Sequence, residues 1–299
     1  MQGRLKYFAA AFFAAVLWGF MAIPLRAIRA WPAEDILYYR IFVSTALIWP
    51  FIFLFRHKRL SASIHYLQSE TAAQRRKLIM LTVIASLLIM GNWFAFIYAV
   101  NHVSIQSAAF AYLVCPLLTT LAAFLLLNER LTGQKKIAIG IALVSVALLA
   151  RGSLHDVAWS VGIASFYALY LVAQRLIQQV DRLVVLAVQL TICTFFILPF
   201  LLWQHHPLPM SATFWINIAT IAIFFTIIPL YMSLYALNGI SSTTVGILIY
   251  INPIIAFIIA IVYFHEPVYK HQLLAYVVLF FAVFLFNWGS LRKVFHKFA

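Results

Sequence analysis

The sequence predicts an all-α membrane protein of ten transmembrane helices in a 5+5 inverted-topology repeat, and three observations carry that prediction. First, the 299 residues are 65% hydrophobic and only 9% charged, too few charged groups to cover a water-soluble globule of this size. Second, the apolar residues fall into ten runs of roughly the length that crosses about 30 Å of hydrocarbon. They lie near 5–27, 33–55, 78–100, 104–127, 135–150, 157–174, 183–203, 213–237, 242–264 and 272–291. Third, one pattern occurs twice: Tyr98, Ala99, Asn101, Ser104, Pro116, Ala123 and Glu129 recur as Tyr235, Ala236, Asn238, Ser241, Pro253, Ala260 and Glu266, each 137 residues later. A fixed Asn, Pro and Glu in register is beyond what an apolar composition supplies by chance, so the pattern reads as an internal duplication.

Continuous rather than alternating apolarity makes the spans helices, not barrel strands. Span 1 is too long, and too poor in a small-residue cleavage site, to read as a removable signal. It carries Trp18-Gly19 and Pro24, and Trp31-Pro32 turns the chain into span 2. Span 6 resembles span 1 at an offset of 149, with Phe166-Tyr167-Ala168 over Leu17-Trp18-Gly19 and Arg175 over Arg26. Spans 2 and 7 share that offset, with Gln189 over Arg40 and Pro199 over Pro50. The change from 149 to 137 leaves 12 extra residues in the first half, which the basic loop from about Arg56 to Lys77 absorbs. The halves are therefore 1–152 and 153–299, a single integral membrane unit. Five helices per half is an odd number, so the second copy enters the membrane from the opposite side, an arrangement suited to rocking between outward and inward states.

The formal charge of +14 is placed by side. Sixteen Lys and Arg fall on the side of the two termini and four on the other, with Arg40 inside a span. That is the positive-inside bias, and it puts both termini in the cytoplasm with basic loops against anionic headgroups. Lipid, not nucleic acid, is the partner this charge implies. Cys115 and Cys193 lie within spans 4 and 7 without metal-ligand spacing, and read as small core residues.

Arg40 is the sharpest candidate, about 10 Å inside span 2 at 1.5 Å per residue. An intramembrane arginine is a functional hypothesis by default, and Asp35 and Glu34 sit badly for it on its own helix. Two readings stand open: a structural clamp to Glu266, which the inverted topology puts on the same side, or a contact to a substrate carboxylate. Pro116 and Pro253, midway along spans 4 and 9, each free a carbonyl at membrane depth and read as hinges or as static kinks. Asn252 precedes the second. Trp18, Asn92, Trp93, Tyr98, Tyr112, Tyr167, Tyr170, Tyr231 and Tyr250 sit away from the loop ends and line a substrate pocket or pack the core. Glu129, Arg130 and Glu266 read as structural salt-bridge residues at helix ends.

None of the seven acids falls mid-helix. That favours facilitated movement or exchange over a proton-coupled drug/metabolite antiporter, the alternative. No phosphate loop points to ATP, and no cofactor or metal is expected. A membrane-embedded lipid enzyme would need a catalytic constellation that is absent, and a channel would need filter motifs.

Trp18-Gly19, Ile36-Leu37 to Arg40, Gly91-Asn92-Trp93, Tyr98 to Asn101, Tyr112, Pro116, Asn128-Glu129-Arg130, Phe166-Tyr167, Pro229, Tyr250-Ile251, Pro253 and His265-Glu266-Pro267 together resemble the drug/metabolite transporter superfamily, EamA type. The closer likeness is to the RarD-like branch, named for chloramphenicol sensitivity, and it covers nearly the whole chain. The resemblance implies a secondary transporter in the bacterial inner membrane, monomer or homodimer. It would move a small metabolite, usually outward; the inverted repeat adds alternating access, and the aromatic and amide residues add an amino acid or a related amphipathic or aromatic compound as the cargo. Cys115 stands where an Asn often precedes the first proline, so a symmetric Asn-Pro pair is not implied.

Overall fold

In the computed structural model the described residues are 2–128, 131–151, 153–177, 180–204, 207–236, 238–240 and 242–298, with backbone alone at 2–4, 204, 234, 242, 243 and 290–298. Among them ten helical segments are long and apolar enough to cross a membrane. Span 1 is α1 (Gln2–Gly19) followed by α2 (Ala22–Ala27). Span 2 is α3 (Ala33–Phe55), and α4 (His57–Ser69) follows it. Span 3 is α5 (Ala72–Tyr98), running into a π-helical turn at Ala99–Val103. Spans 4 to 7 are α6 (Ile105–Leu127), α7 (Gly133–Ala150), α8 (Leu154–Arg175) and α9 (Arg182–Gln204). Span 8 is α10 (Ala212–Ala222), a π turn at Ile223–Ile227 and α11 (Ile228–Ala236). Span 9 is α12 (Ser242–Ile249) and α13 (Ile251–Val262), and span 10 is α14 (Lys270–Phe298). Ten spans bring the two chain ends to one face, here the chain-end face.

Local chemistry sets the boundaries. Thr71, Ser104, Thr132 and Ser153 each accept an N–H from three residues on, at Gln74, Ser107, Lys135 and Asp156. These N-caps satisfy donors that lipid cannot. Asn128 ends α6 at φ 53°, in the left-handed region that Asn tolerates.

Three expectations are corrected. The first and ninth spans are not continuous: span 1 breaks at Phe20-Met21 and span 9 at Tyr250. The basic loop contains a helix: α4 is amphipathic, and Leu60 and Tyr66 pack with Leu78 and Leu81 against Ile177, Val180, Val184 and Val185. Arg56 donates to Asp181 at 2.8 Å, which ties this helix's start to the connection between spans 6 and 7. The prolines are not equivalent: Pro116 lies inside an unbroken α6, whereas Pro253 occupies the first turn of α13, after the break. Pro at that position costs no intrahelical bond.

The packing interleaves the two halves. Spans 2 and 7, 4 and 9, and 5 and 10 pack together, as do 3 with 6, 8 with 1, 4 with 6, 9 with 1, 3 with 7 and 8 with 2. Exchanging each span with the one five later leaves these nine pairings unchanged, whereas spans 4 and 10 and spans 5 and 6 also pack and their exchanged counterparts are weaker. At the middle of span 2, Thr45 Oγ1 lies 3.2 Å from Thr194 Oγ1, two residues separated by 149 positions. Where α1 meets α13 the backbones approach closely: a Cβ on Gly19 would stand 2.6 Å from Ile255 Cβ.

Candidate functional site

Arg40 is 2% exposed on α3. Its Nη2 donates to Thr226 Oγ1 at 3.2 Å and its guanidinium lies 4.5 Å from the centre of the Trp93 ring. Nε and Nη1 have no hydrogen-bond partner, and neither has the buried Ser44 hydroxyl one turn further on. Thr226 is available because span 8 is π-helical there; its hydroxyl also donates to Ile221 O at 3.0 Å. The same turn presents Phe225 O to Trp18 Nε1 at 3.0 Å. One irregular turn thus anchors spans 1 and 2, a recurrent use of π-bulges.

Beside Arg40 runs a column of aromatic and amide groups. The Tyr112 hydroxyl faces Asn92 Oδ1 at 3.5 Å, and Asn92 Nδ2 donates to Ile163 O at 2.9 Å. The Tyr112 and Tyr167 rings are 5.7 Å apart, and Tyr167 stacks with Tyr170 at 5.8 Å. Gln174 Nε2 donates to Tyr170 OH at 2.8 Å and to Gln189 Oε1 at 3.0 Å. Gln189 is fully buried and its own Nε2 has no partner. Spans 2, 3, 4 and 8 contribute one end of the column and spans 6 and 7 the other.

Of the expected pocket residues, the structure brings together Arg40, Trp93, Asn92, Tyr112, Tyr167 and Tyr170, with Trp18 attached through Phe225. Tyr98 lies apart, stacked on Trp159 at 4.5 Å near the far face. Tyr231 is 39% exposed and meets Phe51 edge-on. Tyr250 stands at the break of span 9, and Asn252 is half-buried in the following turn, its carbonyl close to Gly19. Glu129 and Arg130 lie outside the described residues.

The Arg40 to Glu266 clamp is not formed. Glu266 pairs with Arg26, Nη2 to Oε1 at 2.5 Å. It also accepts from Ile105 N at 3.1 Å and Gln106 N at 3.3 Å, and so caps α6 at its positive end. Gln106 returns its amide to Pro267 O at 3.2 Å. The far ends of spans 1, 4 and 9 are thereby tied by one carboxylate. Sequence reasoning weighed depth alone, and the break at Phe20-Met21 that brings Arg26 within reach has no signal in periodicity. Thr226, Ser44, Gln174 and Gln189 were also missed as site residues; for Thr226, Ser44 and Gln189 the signal was present, since each is a polar side chain inside an apolar span, whereas Gln174 lies at the end of α8 beside Arg175. Among the described residues no group of three His, Cys, Asp or Glu side chains gathers that would hold a metal.

Comparison with known proteins decides the family. The EamA-like transporter family matches residues 5–151 and again 157–288. The chain belongs to the EamA-like transporter family. Similar relatives include an uncharacterized transporter, YojE, of Bacillus subtilis, 28% identical over 93% of this chain and 92% of its own length. The protein RarD of Salmonella typhi is 27% identical over 95% and 94%, and an uncharacterized transporter of Vibrio cholerae is 28% identical over 97% and 95%. A crystal structure with TM-score 0.59 and 16% identity covers 96% of this chain and 98% of its own, a likeness of fold. As an EamA-like protein of the drug/metabolite transporter type, the chain is a multi-pass bacterial membrane transporter of small molecules, in contact with lipid.

Proposed function

We propose that this EamA-like transporter is a secondary carrier that exports a small amphipathic or aromatic metabolite across the inner membrane by alternating access. The observation that carries the reading is the Arg40 to Gln189 column: unsatisfied polar groups and aromatic faces gathered at membrane depth from spans of both halves. Orphaned polar groups in such a place are costly, and a ligand that satisfies them offsets the cost. The halves are the two inverted repeats, 1–152 and 153–299. The nine exchange-related pairings, the Thr45–Thr194 contact and the separate family match of each half support this. Outward is the direction that the family resemblance implies, and the excess of basic residues supports cytoplasmic termini. The far face is then the outer one.

The Arg26–Glu266 pair serves as an outer clamp. Its repeat counterparts in the sequence are Arg175 and Glu129, at offsets of 149 and 137. Pro116 and Pro253 flank the moving segments as hinges. One chain supplies every residue of the column, so a monomer suffices, with a homodimer as the other arrangement.

The test is counterflow in proteoliposomes with a library of amino acids, aromatic metabolites and cationic drugs. Saturable, protein-dependent accumulation of at least one compound is expected, and none across the library refutes the carrier. An imposed pH gradient reads the coupling.

A further inference from the structure

The column around Arg40 has a bias in chemistry, not only in shape. Of its orphaned side-chain atoms, Arg40 Nε, Arg40 Nη1 and Gln189 Nε2 are donors only, and the Ser44 hydroxyl can donate as well. No carboxylate bonds to these atoms; the ion pairs Arg26 to Glu266, Arg56 to Asp181 and His155 to Asp156 all lie at helix ends. The Trp93 face gives the guanidinium some compensation. It leaves Nε and Nη1 without a partner in the guanidinium plane, each able to donate to an acid oxygen. A cationic substrate placed here meets a buried positive charge of its own sign with no acid in the column to offset it. The Tyr112 and Tyr167 rings meet edge-to-face at 5.7 Å and Tyr167 stacks with Tyr170 at 5.8 Å, giving an aromatic lining beside the charge.

Building on the proposed function, we infer that the substrate is an organic monoanion, a carboxylate on a flat apolar body, with the carboxylate on the free N–H groups of Arg40 and the body against Tyr112 and Tyr167. Thr226 acts as a positioning residue: its bond to Nη2 holds the guanidinium plane so that Nε and Nη1 stay free. A lysine at position 40 keeps the charge and loses the planar set of donors.

Purified, detergent-solubilised protein is titrated calorimetrically with three probes of one shape: phenylacetate, phenylacetamide and phenethylammonium. Wild type is expected to bind the acid at least about tenfold tighter than the amide, the scale of one charge-assisted bond, and the amine most weakly. In Arg40→Met the preference for acid over amide is expected to vanish while the amide's affinity changes less than about threefold. Arg40→Lys, which retains the buried charge, keeps part of the preference and covers the case in which Arg40→Met does not fold. Equal or tighter binding of the amide or the amine by wild type overturns the inference, as does an equal loss for all three probes in the variants, which marks Arg40 as structural only. If the acid fails while counterflow with another compound succeeds, the anion assignment falls and the carrier stands. If no compound is carried at all, the carrier falls too.

Discussion

Breaking the far-face clamp has a calculable effect. The Glu266 side chain is 12% exposed and that of Arg26 15%, so their attraction is only partly screened. The carboxylate receives one guanidinium N–H and the amides of Ile105 and Gln106. A bond to a charged group contributes about 1.5–3 kcal/mol, and a carboxylate at a helix N-terminus about 0.3–1 kcal/mol more. Arg26→Met therefore costs about 1.5–3 kcal/mol and Glu266→Gln somewhat more, since it also weakens the cap. The double variant should cost little beyond Glu266→Gln alone, giving a coupling of about 1.5–3 kcal/mol in the cycle. Reversible unfolding in mixed micelles measures all four proteins. Transport supplies a second reading. Losing about 2 kcal/mol of far-face closure multiplies the population open to that face up to roughly thirtyfold. Cys115, 2% exposed and three residues along α6 from Tyr112, reports the change. In a Cys193→Ala background, its labelling by an impermeant maleimide from the far face should accelerate at least about tenfold in Glu266→Gln. A coupling below about 0.5 kcal/mol with unchanged labelling refutes the clamp.

Three further outcomes follow from the same geometry. Gly19→Val forces a Cβ to within 2.6 Å of Ile255 Cβ, so spans 1 and 9 must separate; about 1–3 kcal/mol of overpacking should lower the thermal midpoint measured by light scattering. Thr226→Val removes the hydrogen-bonded partner of Arg40 and should reduce saturable flux about tenfold or more, with a loss of stability of about 1–3 kcal/mol from the unpaired guanidinium nitrogen; unchanged flux refutes the positioning role. With no acid in the middle of any span, initial counterflow rates should change less than about twofold when a pH gradient is imposed across the vesicles, and a strong dependence points instead to proton antiport.

Much of this fold was legible because its signals are long. A run of some 20 apolar residues leaves little choice but a spanning helix, and Arg40 announces itself as the one charged residue far inside a span. What escaped was short-range and angular. The breaks at Phe20-Met21 and Tyr250 and the π turn at Ile223–Ile227 rotate the following side chains to new azimuths. Azimuth decides that Arg26, and not Arg40, meets Glu266, and that Thr226 meets Arg40. The amphipathic α4 was hidden by its charge, since a basic stretch beside a membrane reads as loop until one face is seen to pack.

The Thr45–Thr194 contact has a consequence for the energetics of transport. Each hydroxyl also reaches its own helix, to Ile41 O at 2.8 Å and Leu190 O at 2.9 Å. Each has a single proton to give, so one hydroxyl donates across the contact while the other donates along its helix, and the two assignments mirror each other. If the halves exchange roles, the pair passes from one assignment to the other at no net cost. Such a contact works as a fulcrum: it holds the helices together without weighting either side, and the balance between outward and inward forms falls to positions where the halves differ, Arg40 and its repeat counterpart Gln189 first among them.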